Sequence, residues 1–119
     1  MERQWAIELH PDVRSEIAGL SGAVRRGLGV ALLSVEIDGP DLGRPTVDTL
    51  KGSRHANMKE LRFDAGGGVW RFAFAFDPAR RAVVLIGGDK QGENQRRFYS
   101  WLIETADTRL DGHLKGMDQ

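Results

Sequence analysis

Cysteine is absent from the 119-residue chain, which removes disulfides and thiolate metal ligands from consideration. Histidine is scarce: His10, His55 and His113 are scattered and form no metal-spaced cluster, so neither a metal nor another cofactor is expected. Long apolar runs are missing as well. No segment approaches the roughly 20 residues of a membrane-spanning helix, and the N-terminus carries no secretory signal pattern. The expectation is a soluble, cytoplasmic protein with no membrane partner. It forms one domain over residues 1–119, long enough to bury about two thirds of its unfolded surface without covalent staples. Net charge is absent too, since 17 Lys and Arg balance 17 Asp and Glu. A neutral total argues against a nucleic-acid partner, but the distribution argues for one. Residues 51–97 hold ten Lys and Arg against five Asp and Glu, and the remainder holds seven against twelve. A basic centre in an acidic frame attracts a polyanion locally while the whole stays neutral.

What is present is concentrated between Met58 and Lys90. The stretch reads MKELRF, DAGGG, VWRFAFAF, DPARR and AVVLIGGDK. Three apolar or alternating runs separated by loops rich in Gly, Pro and Asp are the pattern of an antiparallel meander. In the middle run Trp70, Phe72, Phe74 and Phe76 share one face, and Val69, Arg71, Ala73 and Ala75 share the other. The aromatic face must be buried. Leu61 and Phe63 belong with it, which pairs Leu61 with Phe72 and Phe63 with Trp70 across a loop centred on Ala65-Gly66-Gly67-Gly68. That register sets Arg62 directly across from Arg71, with Glu60 next on the same strand. Like charges placed opposite each other repel. Either Glu60 and water neutralise an exposed pair, or two guanidiniums over a floor of small residues await an anion. The second reading is preferred.

The rest of the chain frames this meander. Trp5, Ile7 and Leu9 alternate with Ala6, Glu8 and His10 as a short strand, and Pro11-Asp12 suits a helix start. Val13, Ile17 and Leu20 lie at helical spacing, Gly19 to Gly22 marks a break, and Val24, Leu28, Leu32 and Val35 form the stripe of a second helix ended by Gly39-Pro40. Residues 39–57 show no sustained periodicity and read as an irregular connection carrying Lys51, Arg54 and His55, where a glycine-containing basic loop suits phosphate contacts. The GGDKQG corner is not a P-loop, because its glycine spacing is wrong and no Ser or Thr follows the lysine. From about Glu93 a long amphipathic helix repeats Phe98, Leu102, Ala106, Leu110 and Leu114, with Arg96, Arg97 and Tyr99 on its first turns. Residues 115–119 are expected to fray.

The order β-α-α-β-β-β-α gives an α+β fold: a four-stranded antiparallel sheet with an N-terminal helical hairpin, a C-terminal helix, and the helices on one face. The Arg62/Arg71 face then stays open. LKGSRHANMKELRF leads to VWRFAFAF, and AVVLIGGDKQG precedes a terminal helix. In this order of elements the chain resembles the RelE/ParE toxin superfamily over roughly residues 5–110. Within it, the chain is most similar to the phage-derived HigB-like branch, whose members carry a Leu-Lys-Gly loop, a Glu-Leu-Arg strand and a following strand with Arg. The lysine that follows the closing strand in that family is matched by Lys90.

The resemblance implies a RelE-like fold and the toxin of a type II toxin–antitoxin system, a ribosome-dependent mRNA endonuclease that inhibits translation without a metal. The 2′-hydroxyl attacks the adjacent phosphate and leaves a cyclic phosphate and a 5′-hydroxyl. By matched position, Arg62 and Arg71 stabilise the phosphate, and Lys90 contacts the phosphate or the leaving oxygen. Tyr99 stacks on a base or carries a proton. Lys51, Arg54, His55, Lys59, Arg96 and Arg97 hold the RNA. The implied partners are a cognate antitoxin, often a helix-turn-helix protein, together with ribosome and mRNA. Two other functions follow from the same resemblance: a ParE-like toxin that inhibits gyrase without cutting RNA, and a phage-derived interaction domain without toxicity. The opposed arginines favour the nuclease. The chain departs from the family in its neutral charge and in its long C-terminal helix, where some relatives carry an acid. His113 lies far along that helix, which leaves His55 as the candidate acid or base.

Overall fold

The computed structural model describes residues 4–118. Its elements are β1 (Ala6–Leu9), α1 (Pro11–Ala18), α2 (Gly22–Asp38), β2 (Val47–Thr49), β3 (Met58–Ala65), β4 (Gly68–Phe76), β5 (Arg81–Asp89) and α3 (Gln95–Met117), with a 3-10 turn at Gly39–Asp41. Local chemistry explains the boundaries. Pro11 opens α1 in the first helical turn, Ser21 Oγ accepts from the Val24 amide at the start of α2, and Asn94 Oδ1 accepts from the Arg97 amide at the start of α3. Gly66 and Gly67 adopt φ of 58° and 81°, the left-handed pair that a two-residue hairpin with the strands' own twist requires. The register of β3 on β4 is the expected one: Leu61 faces Phe72, Arg62 faces Arg71 and Phe63 faces Trp70.

The sheet itself differs from expectation. It has five strands in the order β1-β5-β4-β3-β2, and it is mixed, because β1 runs parallel to β5 from Ala6↔Arg81 to Leu9↔Val84. The chain leaves β1 at one edge, crosses a face as α1 and α2, and enters β2 at the other edge. β2 comes from the stretch read as irregular. Three residues are too few to show alternation, yet Val47 is buried opposite Leu61. At the C-terminus α3 continues past Lys115 to Met117 and is capped by the Asp118 amide. Gln119, the last residue of the tail expected to fray, lies outside the described residues.

The helices do not share a face. Val13, Leu28 and Val35 of α1 and α2 pack on Leu61, Phe72 and Phe74. Phe98, Leu102, Ala106 and Leu110 of α3 pack on the opposite face, over Ala73, Ala75, Val83 and Leu85. The small side chains of β4 let a helix approach closely instead of flooring an open surface. Burial on both sides also accounts for the unbroken apolar run Ala82–Ile86 in β5. The face bearing the two arginines is therefore covered over its middle. Arg71 is only 7 % exposed, and the side chain of Arg62, nearer the sheet edge, is 32 % exposed. No described helix is long and apolar enough to cross a membrane.

Candidate functional site

Beside the first turns of α3 the covered face opens into a groove. Glu60 and Arg62 enter it from β3, Lys90 from just beyond β5, Tyr99 from α3, and Arg44, Asp48 and Lys51 from the segments around β2. These side chains line a cavity of about 420 Å³. A smaller cavity of about 260 Å³ adjoins it at Arg62 and is lined also by Arg71, Pro45, Phe63 and Asp64.

The centre of the groove is a three-residue contact. Tyr99 Oη donates to Glu60 Oε1 at 2.7 Å, and Arg71 Nε lies 3.8 Å from the same oxygen. Both charged side chains are about one tenth exposed, at 8 % for Arg71 and 11 % for Glu60. Arg71 Nη1 donates to the Trp70 carbonyl at 2.9 Å, while its Nε is buried without a hydrogen-bond partner. A buried guanidinium donor without a partner is costly, and here the Glu60 carboxylate at 3.8 Å is its nearby counter-charge. Burial raises the Tyr99 pKa, as do the hydrogen bond and charge of Glu60, with Arg71 opposing. Tyr99 is therefore a proton-bearing phenol at neutral pH. Lys90 Nζ lies 5.9 Å from the centre of the Tyr99 ring and 3.4 Å from Gln95 Oε1.

Arg62 is relieved by a different carboxylate. Asp48 Oδ2 lies 4.0 Å from Arg62 Nη1 and accepts from Arg44 Nε at 3.0 Å and Nη2 at 2.8 Å. Those bonds from Arg44, followed by the Thr49 amide, lower the Asp48 pKa. The opposed arginines thus each have a nearby acid, Glu60 for Arg71 and Asp48 for Arg62. Among the described residues no three His, Asp or Glu side chains converge as a metal site.

A family profile described as "Phage derived protein Gp49-like" matches residues 15–111. The chain belongs to the Gp49-like family. Two Mycobacterium tuberculosis relatives of this Gp49-like protein bear toxin names. It is 41 % identical to "Putative toxin HigB3" over 111 residues, covering 93 % of this chain and 85 % of that protein. It is 42 % identical to "Putative toxin HigB2" over 107 residues, covering 87 % of this chain but only 53 % of the relative's length. In fold, it is similar to a double arginine-to-alanine mutant of the Escherichia coli toxin RelE in the free state. That structure superposes with a TM-score of 0.65 over 89 % of this chain and 97 % of the other, at 15 % identity. The RelE-like α+β class is shared.

Within the Gp49-like fold, the groove brings together Arg62, Lys90, Tyr99 and Lys51 of the residues singled out from sequence, with Arg71 reached through the cavity at Arg62. Others sit elsewhere. Lys59 alternates with Glu60 and so lies on the opposite face, 3.4 Å from Thr49 Oγ1. Arg54 and His55 are drawn to the far part of α3, each 2.8 Å from Asp111. Arg54 and His55 lower the Asp111 pKa through those bonds. Arg96 lines a separate cavity beyond Tyr99, and Arg97 is exposed. His113 is bound to the buried Asp77 at 2.9 Å. Three groups were not anticipated as site residues: Glu60 as the partner of Tyr99, and the Arg44–Asp48 pair beside Arg62. The Glu-Leu-Arg motif offered the one available hint, because it places Glu60 on the face of Arg62.

Proposed function

We propose that this Gp49-like protein is the toxin of a type II toxin–antitoxin pair and that it cleaves mRNA on the ribosome by transesterification. The observation that carries the reading is the buried Arg71, set across from Arg62 by strand register and beside the Glu60–Tyr99 pair by α3, with one donor unspent. The toxin names of the two mycobacterial relatives support the same reading. The ribose 2′-hydroxyl gives its proton to the Glu60 carboxylate and its oxygen bonds to phosphorus. The bond from phosphorus to the 5′-oxygen breaks, and the Lys90 ammonium supplies a proton to that leaving oxygen. One proton is taken and one is returned, leaving a 2′,3′-cyclic phosphate and a 5′-hydroxyl. Arg62 and Arg71 oppose the charge that grows on the equatorial oxygens, where preorganised cations in a dry site contribute most. Tyr99 keeps its proton and holds the Glu60 carboxylate by hydrogen bond, so it orients the base. Lys51 and Arg44 extend the cationic lining along the RNA backbone. An antitoxin that places acidic side chains in this groove relieves its positive charge and blocks RNA entry together.

Translation in vitro with primer extension on the mRNA tests the proposal. The expected result is cuts within translated codons for the parent protein and their loss in Glu60→Gln and Arg71→Lys. Intact mRNA accompanied by gyrase-linked DNA breaks would overturn it.

A further inference from the structure

A cavity of about 560 Å³ lies on the other side of Tyr99 from the groove, between the loop at Gly52–Arg54 and α3. Tyr99 lines both spaces, so a strand leaving the groove past the phenol enters this cavity. The loop is fixed there by bonds to one buried acid: Ser53 Oγ and the Arg54 amide both donate to Asp107. Gly52 adopts φ of 101°, and a Cβ at that position would stand 3.3 Å from Ile103 Cδ1. Bare backbone thus closes down on an apolar side chain and leaves a slot with an apolar wall.

Along the α3 wall, Arg96, Ser100 and Glu104 recur every four residues and share one face. They place a cation, a hydroxyl and a carboxylate in line over about 12 Å. Among the described residues Arg96 and Glu104 have no hydrogen-bond or ion-pair partner within the chain, whereas Arg54 is spent on Asp111. This order matches the polarity of one nucleotide, with an anionic phosphate at one end and a base edge bearing N–H groups at the other. Arg96 is the member of the series nearer the start of α3, where Gln95 and Lys90 border the groove, so it takes the phosphate. Glu104 lies about two turns farther along α3 and meets the base. A carboxylate offers two acceptors side by side and no donor. Guanine alone presents two adjacent donors, N1–H and the N2 amine. Adenine and cytosine set a ring acceptor beside their amine, and uracil flanks its single N–H with carbonyls.

We propose that this cavity is a nucleobase subsite that takes the nucleotide adjoining the scissile phosphate and selects guanine through Glu104, with Arg96 on its phosphate. The inference rests on the mRNA-cleaving reading above and adds which base that site prefers.

The test maps every cut made in a translated reporter mRNA by the parent protein, by Glu104→Gln and by Arg96→Ala. A bidentate base contact corresponds to discrimination of about tenfold or more. The parent is expected to show guanine enriched by about that factor at one fixed offset from the cut. Glu104→Gln, whose amide replaces one acceptor by a donor, is expected to flatten the enrichment to within about twofold. Arg96→Ala removes a backbone contact and is expected to lower cutting at all sites alike while leaving the base distribution unchanged. A merely structural role for Glu104 would not move the base distribution. Parent cuts without base bias at any offset, or a guanine bias that persists in Glu104→Gln, would overturn the subsite and leave the nuclease standing. Parent protein that makes no cuts would overturn both.

Discussion

Removing the Arg71 side chain should cost far more stability than a surface arginine normally does. At 3.8 Å from Glu60, with an effective dielectric of about 20, the two charges attract by about 4 kcal/mol. Both are nearly buried, so Arg71→Ala leaves a carboxylate in low dielectric with the Tyr99 hydroxyl as its one side-chain donor. That bond is worth about 1.5–3 kcal/mol and does not replace the lost counter-charge. Breaking a buried pair from one side typically costs about 3–5 kcal/mol. Because Arg71 Nε makes no direct hydrogen bond to Glu60, the lower end, about 3 kcal/mol, is expected. This is a large share of an ordinary domain's stability of about 5–15 kcal/mol. Urea unfolding of four proteins measures it: parent, Arg71→Ala, Glu60→Gln and the double variant. Neutralising Glu60 in the Arg71→Ala background should restore more than about 1 kcal/mol, a coupling that contacting charged residues commonly show. Arg71→Ala within about 0.5 kcal/mol of the parent, or additive single effects, would refute the account of a buried pair. For the same reason a loss of toxicity in Arg71→Ala does not by itself report on chemistry. Arg71→Lys keeps the charge but loses the planar fork, and it is the better probe of phosphate stabilisation.

On the opposite face, Phe74 is 1 % exposed beneath the helices, and Phe74→Ala is expected to cost about 3–5 kcal/mol in the same urea assay; an unchanged midpoint would contradict its place in the core. Tyr99 links stability to pH. Its pKa is raised, by burial first and then by Glu60, so folding favours the protonated phenol. The stabilisation is complete below the ordinary tyrosine value of about 10 and is lost as pH rises beyond it. Tyr99→Phe should therefore be less stable at neutral pH by about 1–2 kcal/mol through the lost hydrogen bond, yet fall less steeply above pH ~10. Parallel stability curves from pH ~8 to ~11 would contradict the burial of the phenol.

Much of this architecture was legible because its signals are local. The alternation Trp70-Phe72-Phe74-Phe76 identified β4, and Leu61 with Phe63 fixed the register that places Arg62 against Arg71. The glycine pair located the hairpin. β2 was not legible because its identity rests on Val47 meeting Leu61, a tertiary contact made by three residues. The placement of α3 was misread from β4 alone: Ala73 and Ala75 look like an exposed floor until β5, apolar on both faces, is taken into account. The Arg62–Arg71 juxtaposition was legible from strand register, whereas side-chain pairs distant in sequence were not foreseen. Glu60 and Tyr99 are 39 residues apart, and His55 and Asp111 are 56 apart. No spacing rule joins such positions. The neutral total charge likewise conceals pairs such as Arg109–Glu16 at 2.7 Å, which neutralise the acidic first helix without reaching the groove.

The wide separation of contacting segments also governs when the groove comes into being. Glu8 of β1 reaches Arg81 of β5 across 73 residues, and Glu60 of β3 is bonded to Tyr99 on the final helix across 39. A chain synthesised from its N-terminus makes its local meander early and its non-local contacts late. Until α3 emerges, Glu60 lacks the Tyr99 hydroxyl and the sheet face beside it lacks its helical cover. Under the proposed mechanism, a product that ends before α3 is expected to cut no RNA, however well its strands pair.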